Sequence, residues 1–199
     1  VTRTTAPHCI RSAAADWYKS PELGLPVLQV QHHYAHVLSC MAENNYLEPV
    51  IGVSFDGTGY GGDGSIWGGE VLLADVQGCS RFASIMPFRH VGGDAASREG
   101  WRIAVSLLYD GTGQDKEKAA ALAEGLRLCS REELQAQFFL ADNGINTAVS
   151  TSAGRLFDGL SAALGLCRQS TFEGQGAMAL QFAAEAWEQN HGEGDVVPV

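Results

Sequence analysis

The chain has 199 residues, of which 45% are apolar and 18% are charged, an ordinary composition for a globular protein with a buried core. Its formal net charge of −10 disfavours nucleic acid as a partner, because a phosphate backbone binds to a basic surface. The sequence has no apolar run of membrane length and no basic-then-apolar leader, so we expect neither a membrane span nor a signal peptide.

The first predicted elements are a short helix at 13–19 and a short strand at 27–30. A longer helix follows, because apolar residues recur at intervals of three and four, which gives one apolar face. The residues of that face are Tyr34, Val37, Leu38 and Met41. His32 and His36 lie one turn apart and share another face. Asn44 and Asn45 end the helix, since asparagine tolerates the left-handed conformation.

Three strands are predicted next, at 50–55, 66–75 and 80–87, and their short connections indicate an antiparallel meander. The first strand ends at Asp56, which opens a loop rich in glycine that starts with Gly57, Thr58 and Gly59. Such a loop can bring backbone N–H groups close to an anion, although a plain hairpin explains it equally well. A Walker loop is excluded, because the lysine that it requires is missing.

The rest of the chain is predicted to be helical. Asp94 is expected to cap a helix that runs to about Tyr109. Further helices are expected at 116–128, after a capping box at 130–133, after the serine and threonine residues at 150–152, and across 172–190. Strands followed by helices indicate an α+β or α/β fold with helices packed on a sheet.

Two histidines on one helix face and a nearby carboxylate are donor types that hold a divalent metal. His32 and His36 have the spacing H-x-x-x-H, and Asp56 follows at the end of the predicted strand. The alternative is that the spacing is accidental, since such pairs are common. A metalloprotease site is excluded, because H-E-x-x-H needs a glutamate after the first histidine, where this chain has His33.

The cysteines are odd in number and scattered, with no C-x-x-C pair, which disfavours a zinc ribbon and a disulfide scaffold. They are Cys9, Cys40, Cys79, Cys129 and Cys167. We therefore expect free thiols in a reducing compartment, the cytoplasm. Cys40 lies one helical turn beyond His36 and could approach a metal, but a free cysteine on a helix is more often a small buried hydrophobe.

Five blocks of the sequence carry a resemblance to a known family. They are VQHHYAH, VIGVSFDGTGYGGDGSIWGGEVLLAD, GGDAASREGWR, TSAGRLFDGLSAALGLC and TFEGQGAMAL. They resemble the C-terminal module of the HypF family, the carbamoyltransferases of nickel–iron hydrogenase maturation. The resemblance implies an α/β chain, α+β in the order of its elements, that forms part of an actin/Hsp70-like (ASKHA) nucleotide-binding fold. Residues 1–48 would end one lobe and residues 49–199 would form the second lobe.

The resemblance also implies roles for particular residues. His32, His36 and Asp56 would bind a divalent metal, iron or zinc, which makes Asp56 the expected catalytic residue. The other expected site residues would bind an adenine nucleotide, ATP or carbamoyl-adenylate. Gly57, Thr58 and Gly59 would face its phosphate. Asp158, Glu173 and Gly174 would lie near its ribose. For Asp158 the alternative is a solvated helix residue.

The function implied by the resemblance is transfer of a carbamoyl group from carbamoyl-adenylate to the C-terminal cysteine thiol of the partner HypE. The alternatives are carbamoyl transfer to a small-molecule hydroxyl and a non-catalytic module that binds nucleotide and metal. The family's upstream modules, its last glycine-rich motif and a C-terminal aspartate ligand have no counterpart here. We therefore expect an incomplete metal shell and a chain that folds alone but is inactive alone.

Overall fold

The computed structural model describes residues 2–3 and 28–191 of the chain. The helix predicted at 13–19 lies outside the described residues. The chain divides into two compact units, Val1–Phe88 with Ala148–Gly154 and Arg89–Thr147 with Arg155–Val199. In the described part of the chain, every helix is too short or too polar to cross a membrane.

The first unit begins with a short parallel pair of strands, β1 (Thr2–Arg3) and β2 (Leu28–Gln29). The strand predicted at 27–30 is therefore present. Helix α1 (His32–Glu43) follows, and the side chain of Gln31 caps its N-terminus by accepting a hydrogen bond from the backbone N–H of Tyr34. At the other end Asn45 has φ of 51°, which confirms the predicted asparagine stop.

The predicted meander is confirmed by three antiparallel strands, β3 (Val50–Tyr60), β4 (Ile66–Ala74) and β5 (Cys79–Ser84). The prediction that β3 ends at residue 55 is wrong. The strand continues through Gly57, Thr58 and Gly59, and pairing with β4 resumes at Gly59↔Trp67 and Tyr60↔Ile66. Residues 56–58 therefore form a bulge within a strand, not the start of a loop.

Two strands were not predicted, β6 (Phe88–Val91) and β7 (Thr147–Ser150). Each has four residues, too few to show a clear alternation of apolar and polar side chains. Strand β7 pairs with β4 in the parallel direction, through Ile66↔Ser150. Residues 150–152 were expected only to cap a helix, but Ser150 also ends β7 and pairs with Ile66 of β4.

Helix α1 covers one face of β3 and β4 through a small apolar core. Its buried members are Val37, Met41, Trp67, Leu72 and Ala74. Helix α1 thus belongs to the same compact unit as the strands on which it packs. The division into lobes at residues 48 and 49 stays a prediction. On β3, residues that alternate with the covered ones remain exposed, namely Ile51, Val53 and Phe55.

The second unit is mainly helical. It contains a 3₁₀ turn (Gly93–Ser97) and helices α2 (Gly100–Gly111), α3 (Lys116–Gly125), α4 (Arg131–Asn143), α5 (Ala153–Ala163, from Arg155 onward) and α6 (Gln175–His191). The buried core of α2–α5 includes Trp101, Val105, Tyr109, Leu128, Leu134 and Phe138.

Of two helix caps predicted in this unit, at Ser130 and at Asp94, one is confirmed. The capping box is confirmed, with Ser130 Oγ accepting from Glu133 N–H and Glu133 accepting from Ser130 N–H. Asp94 was predicted to cap α2, and that is wrong, because the chain makes the 3₁₀ turn first and α2 starts after Glu99.

We expect Leu72→Ala to lower the free energy of unfolding by about 2–5 kcal/mol, because the side chain is fully buried between α1 and the sheet. Leu73→Ala is the matched control, since that neighbouring side chain is 43% exposed. Urea unfolding followed by circular dichroism measures both variants. Equal losses from the two substitutions would contradict the packing described for this core.

Candidate metal centre

The structure brings together the three residues that the sequence predicted as metal ligands. His32 Nε2 lies 2.6 Å from Asp56 Oδ2 and 3.1 Å from His36 Nε2. His36 Nε2 lies 3.8 Å from the same carboxylate oxygen. Among the described residues, these three form the one group of donor atoms arranged to hold a metal ion, all within 4.8 Å of one another.

The size of this triangle suits a divalent ion. Nitrogen and oxygen ligands about 2.0–2.2 Å from zinc lie about 3.0–3.5 Å from each other in tetrahedral or octahedral geometry. The measured separations of 2.6, 3.1 and 3.8 Å bracket that range. The His36 side chain is 56% exposed, and those of His32 and Asp56 are 29% and 27% exposed, so one side of the group is open to further ligands.

His33 explains why the other two histidines face outward. Its side chain is fully buried on the face of α1 that also carries Val37 and Met41. Burial lowers the pKa of His33 to about 4, so the ring is neutral at neutral pH. Its Nδ1 accepts a hydrogen bond from Gln31 Nε2, at 3.1 Å. His32 and His36 lie on the outer side of the helix, where His32 is partly exposed and His36 is exposed.

The carboxylate of Asp56 is held at both oxygens. Oδ2 contacts His32, and Oδ1 accepts a hydrogen bond from the backbone N–H of Gly57 at 2.6 Å. The hydrogen bond with His32 lowers the pKa of Asp56. Partial burial raises this pKa, and the hydrogen bond from Gly57 N–H lowers it further. The group is therefore ionised near neutral pH, as a metal ligand must be.

The position of Asp56 depends on an interruption of the β3–β4 ladder. Pairing runs to Phe55↔Gly69 and resumes at Gly59↔Trp67, so residues 56–58 of β3 face the single residue Gly68 of β4. This is a β-bulge, a device that redirects side chains and leaves backbone groups without ladder partners. Here it turns Asp56 toward α1.

Gly59 has a packing reason to be glycine. A Cβ at this position would lie 2.2 Å from Cε1 of His33 and 3.0 Å from Cδ2 of His32. Helix α1 therefore rests directly on the backbone of β3 beside the candidate ligands. Thr58 is exposed and its hydroxyl donates to the carbonyl of Gly57. The predicted contacts of Gly57, Thr58 and Gly59 with phosphate stay a prediction.

The residues predicted near a ribose lie in the second unit, whereas the triad lies in the first. Asp158 is buried, which argues against the alternative of a solvated residue, and its Oδ2 lies 3.0 Å from Nη1 of Arg155. Burial raises the pKa of Asp158, opposed by the charge of Arg155. Glu173 is exposed, and Gly174 has a left-handed φ of 77°. Their nucleotide contacts stay predictions.

Cysteine takes no part in the candidate centre. Cys40 is exposed, outside the group of three, and its Sγ contacts Asn44 Nδ2. The prediction of free thiols is confirmed for the cysteines that the structure describes, namely Cys40, Cys79, Cys129 and Cys167. Cys9 lies outside the described residues.

Several residues around the site escaped the sequence analysis. Gln31 caps α1, His33 packs beneath the triad, and Glu70, Thr151 and Ser152 form hydrogen bonds behind the bulge. For His33 a signal existed, because its spacing to Val37 and Met41 places it on the apolar face. For Glu70, Thr151 and Ser152 no local pattern points to the site, since the partners that place them there are far away in sequence.

Comparison with known proteins identifies the relatives of this chain. Residues 52–197 match the family model described as "Carbamoyltransferase, Kae1-like Domain, second subdomain", and residues 7–43 match the "HypF Kae1-like domain". The carbamoyltransferase HypF of Rhodobacter capsulatus is 42% identical over 171 residues, which is 83% of this chain and 22% of that protein. Carbamoyltransferase HypF2 of Cupriavidus necator is 38% identical over 175 residues, 87% of this chain and 20% of that protein.

Solved structures give the same result. Full-length HypF in the phosphate- and nucleotide-bound form superposes with a TM-score of 0.79 at 34% identity, covering 90% of this chain and 22% of that chain. HypF of T. kodakarensis has a TM-score of 0.80 at 31% identity, covering 100% of this chain and 26% of that chain. The chain thus spans about a fifth of the length of the carbamoyltransferases HypF of Rhodobacter capsulatus and HypF2 of Cupriavidus necator.

We expect Gly59→Ala to lower the free energy of unfolding by about 1–3 kcal/mol, because its Cβ overlaps the ring of His33. Gly62→Ala is the matched control, since a Cβ there meets no atom within 4 Å. The measurement is urea unfolding of both variants beside the unaltered chain. If the two substitutions proved equally mild, α1 would not rest on β3 as described.

Proposed function

The chain belongs to the HypF family, and from that premise we propose that it provides the metal-holding part of a carbamoyltransferase. The proposed reaction transfers the carbamoyl group of carbamoyl-adenylate to the C-terminal cysteine thiol of a HypE-like acceptor, in the cytoplasm, during synthesis of the cyanide ligands of nickel–iron hydrogenase. The observation that carries the proposal is the triangle of His32, His36 and Asp56 on the open side of α1.

The donor set fits a divalent metal, iron or zinc, held by His32 Nε2, His36 Nε2 and a carboxylate oxygen of Asp56. When bound, such an ion supplies Lewis-acid chemistry that polarises a carbonyl or phosphate oxygen. The protein's part is to hold the two imidazoles on rigid helical spacing and to keep Asp56 ionised. The exposed side of the group leaves room for substrate oxygens to approach the ion.

The bulge at residues 56–58 supports a role in holding the departing nucleotide. A β-bulge leaves backbone groups without ladder partners, and the exposed Thr58 adds a hydroxyl there. We propose that this backbone faces phosphate, so that the AMP leaving group is stabilised as negative charge develops on it. Asp158, Glu173 and Gly174 of the second unit are the proposed neighbours of the ribose.

We expect His36→Ala to weaken Zn²⁺ binding at least about tenfold, because a site with two protein ligands in place of three holds the ion poorly. His191→Ala is the control, since His191 is exposed at the end of α6, outside the triad. Competition titration against a chromophoric chelator measures the affinity. The same zinc affinity in His36→Ala and in the unaltered chain would refute the three-ligand site.

We expect Asp56→Ala to reduce carbamoyl transfer by about a hundredfold or more, while synthesis of carbamoyl-adenylate continues at its normal rate. The test uses a protein of the relatives' full length that contains this chain, supplied with synthetic carbamoyl-adenylate and a HypE-like acceptor. Mass spectrometry follows the acceptor's terminal cysteine. Asp94→Ala, at an exposed aspartate outside the group, is the control and should transfer normally.

Undiminished transfer by Asp56→Ala would overturn the proposed role of the carboxylate. Transfer to a small-molecule hydroxyl, with none to the cysteine, would overturn the proposed acceptor while leaving carbamoyl transfer in place.

A further inference from the structure

We infer that Ser152 is a positioning residue for the Asp56 carboxylate and acts through the backbone of the bulge. The inference rests on the proposed metal-holding function of the triad and assigns a role in it to a side chain that does not touch the metal position. Ser152 is fully buried, and it comes from the segment between β7 and α5, almost a hundred residues beyond the bulge.

The hydroxyl of Ser152 contacts two carbonyl groups of the bulge. Because residues 56–58 lie opposite Gly68 alone, the regular ladder is interrupted where the carbonyls of Asp56 and Gly57 lie. Ser152 Oγ lies 2.6 Å from the carbonyl oxygen of Gly57 and 3.2 Å from that of Asp56. The single hydrogen of this hydroxyl is therefore shared between the carbonyls on either side of Gly57, with the shorter contact to Gly57.

The backbones of β4, the bulge and residues 152–154 approach one another closely. A Cβ on Gly68 would lie 2.5 Å from the carbonyl oxygen of Asp56 and 2.9 Å from Cα of Ser152. A Cβ on Gly154 would lie 2.8 Å from Cα of Gly57. Two glycines thus let β4 and the 152–154 segment press directly on the bulge, so little space remains for the bulge to relax.

The segment that carries Ser152 is itself held in place by hydrogen bonds. The hydroxyl of Thr151 donates to the fully buried carboxylate of Glu70, which also accepts from Arg81 Nε at 2.6 Å. Thr151 N–H donates to the carbonyl of Ile66 at 2.8 Å, and Ser152 N–H donates to Ser150 Oγ at 3.1 Å. Thr151 is therefore held by a charge-assisted hydrogen bond, and it fixes the position of the next residue, Ser152.

The consequence for Asp56 follows from its short side chain. Its Oδ1 already accepts from Gly57 N–H, so the carboxylate moves together with the Asp56–Gly57 peptide group. By holding the carbonyls beside that peptide group, Ser152 sets the distance between Oδ2 and the two imidazoles. Without the Ser152 hydroxyl, the carbonyl of Asp56 loses this donor and the carbonyl of Gly57 keeps the Thr58 hydroxyl, so the position of the bulge is less tightly constrained.

The test is a double-mutant cycle on metal affinity in the 199-residue chain. The variants are Ser152→Ala, Asp56→Ala, the double variant, and Ser161→Ala as the matched control. Ser161 is also fully buried, but its hydroxyl has no hydrogen-bond partner among the residues that the structure describes. Zn²⁺ competition titration gives the affinity, and the visible absorption of bound Co²⁺ reports the coordination geometry. Ser152→Cys, similar in size with a weak donor, replaces the alanine variant if that does not fold.

We expect Ser152→Ala to weaken Zn²⁺ binding about tenfold to a hundredfold and to change the Co²⁺ spectrum, as removal of a group that orients a ligand does. In the Asp56→Ala background the same substitution should change affinity less than about twofold, because its effect acts through Asp56. Ser161→Ala should leave affinity and spectrum unaltered.

Three results would overturn the inference, two of them without affecting the proposed metal-holding role. Equal affinity and spectrum in Ser152→Ala and the unaltered chain, or an effect of Ser152→Ala that persists in the Asp56→Ala background, would reduce Ser152 to a structural residue while the metal-holding role stands. Failure of the unaltered chain to bind Zn²⁺ or Co²⁺ would overturn the metal-holding role and this inference with it.

Discussion

The interruption of the β3–β4 hydrogen-bond ladder at residues 56–58 is the constraint on which the candidate centre depends. A regular strand would keep every second side chain on each face and would form hydrogen bonds with β4 at every second residue. The bulge instead turns Asp56 toward α1, and the carbonyls of Asp56 and Gly57 accept from the hydroxyl of Ser152. Gly59 ends the bulge and allows the histidine helix to lie against the strand.

Helix α1 adds the second half of the centre by dividing its histidines between two environments. His33 is buried and neutral above Gly59, so it packs like an apolar residue. His32 and His36 remain on the open side, next to an ionised carboxylate. In an acidic chain, a cation held by these groups would offset the negative charge that repels an anionic substrate, which is the role we propose for the site.

The sequence predicted the parts of the fold that rest on local patterns. The spacing of His32 and His36 and the capping box at Ser130 are properties of a single helix, so both were found. The bulge was taken for a loop, because glycine residues favour either structure and only the pairing with β4 distinguishes them. Ser152 was predicted only as part of a helix cap, since its partners in the bulge lie almost a hundred residues earlier in the sequence.

The central claim is that the bulge and α1 together hold one metal ion on His32, His36 and Asp56. The most direct measurement is a crystal structure of the chain grown with Zn²⁺, with anomalous data collected on both sides of the zinc absorption edge. The account predicts one strong anomalous peak about 2.0–2.2 Å from two imidazole nitrogens and a carboxylate oxygen of these residues. An anomalous peak at any other group of side chains, with these three residues left unbound, would contradict it.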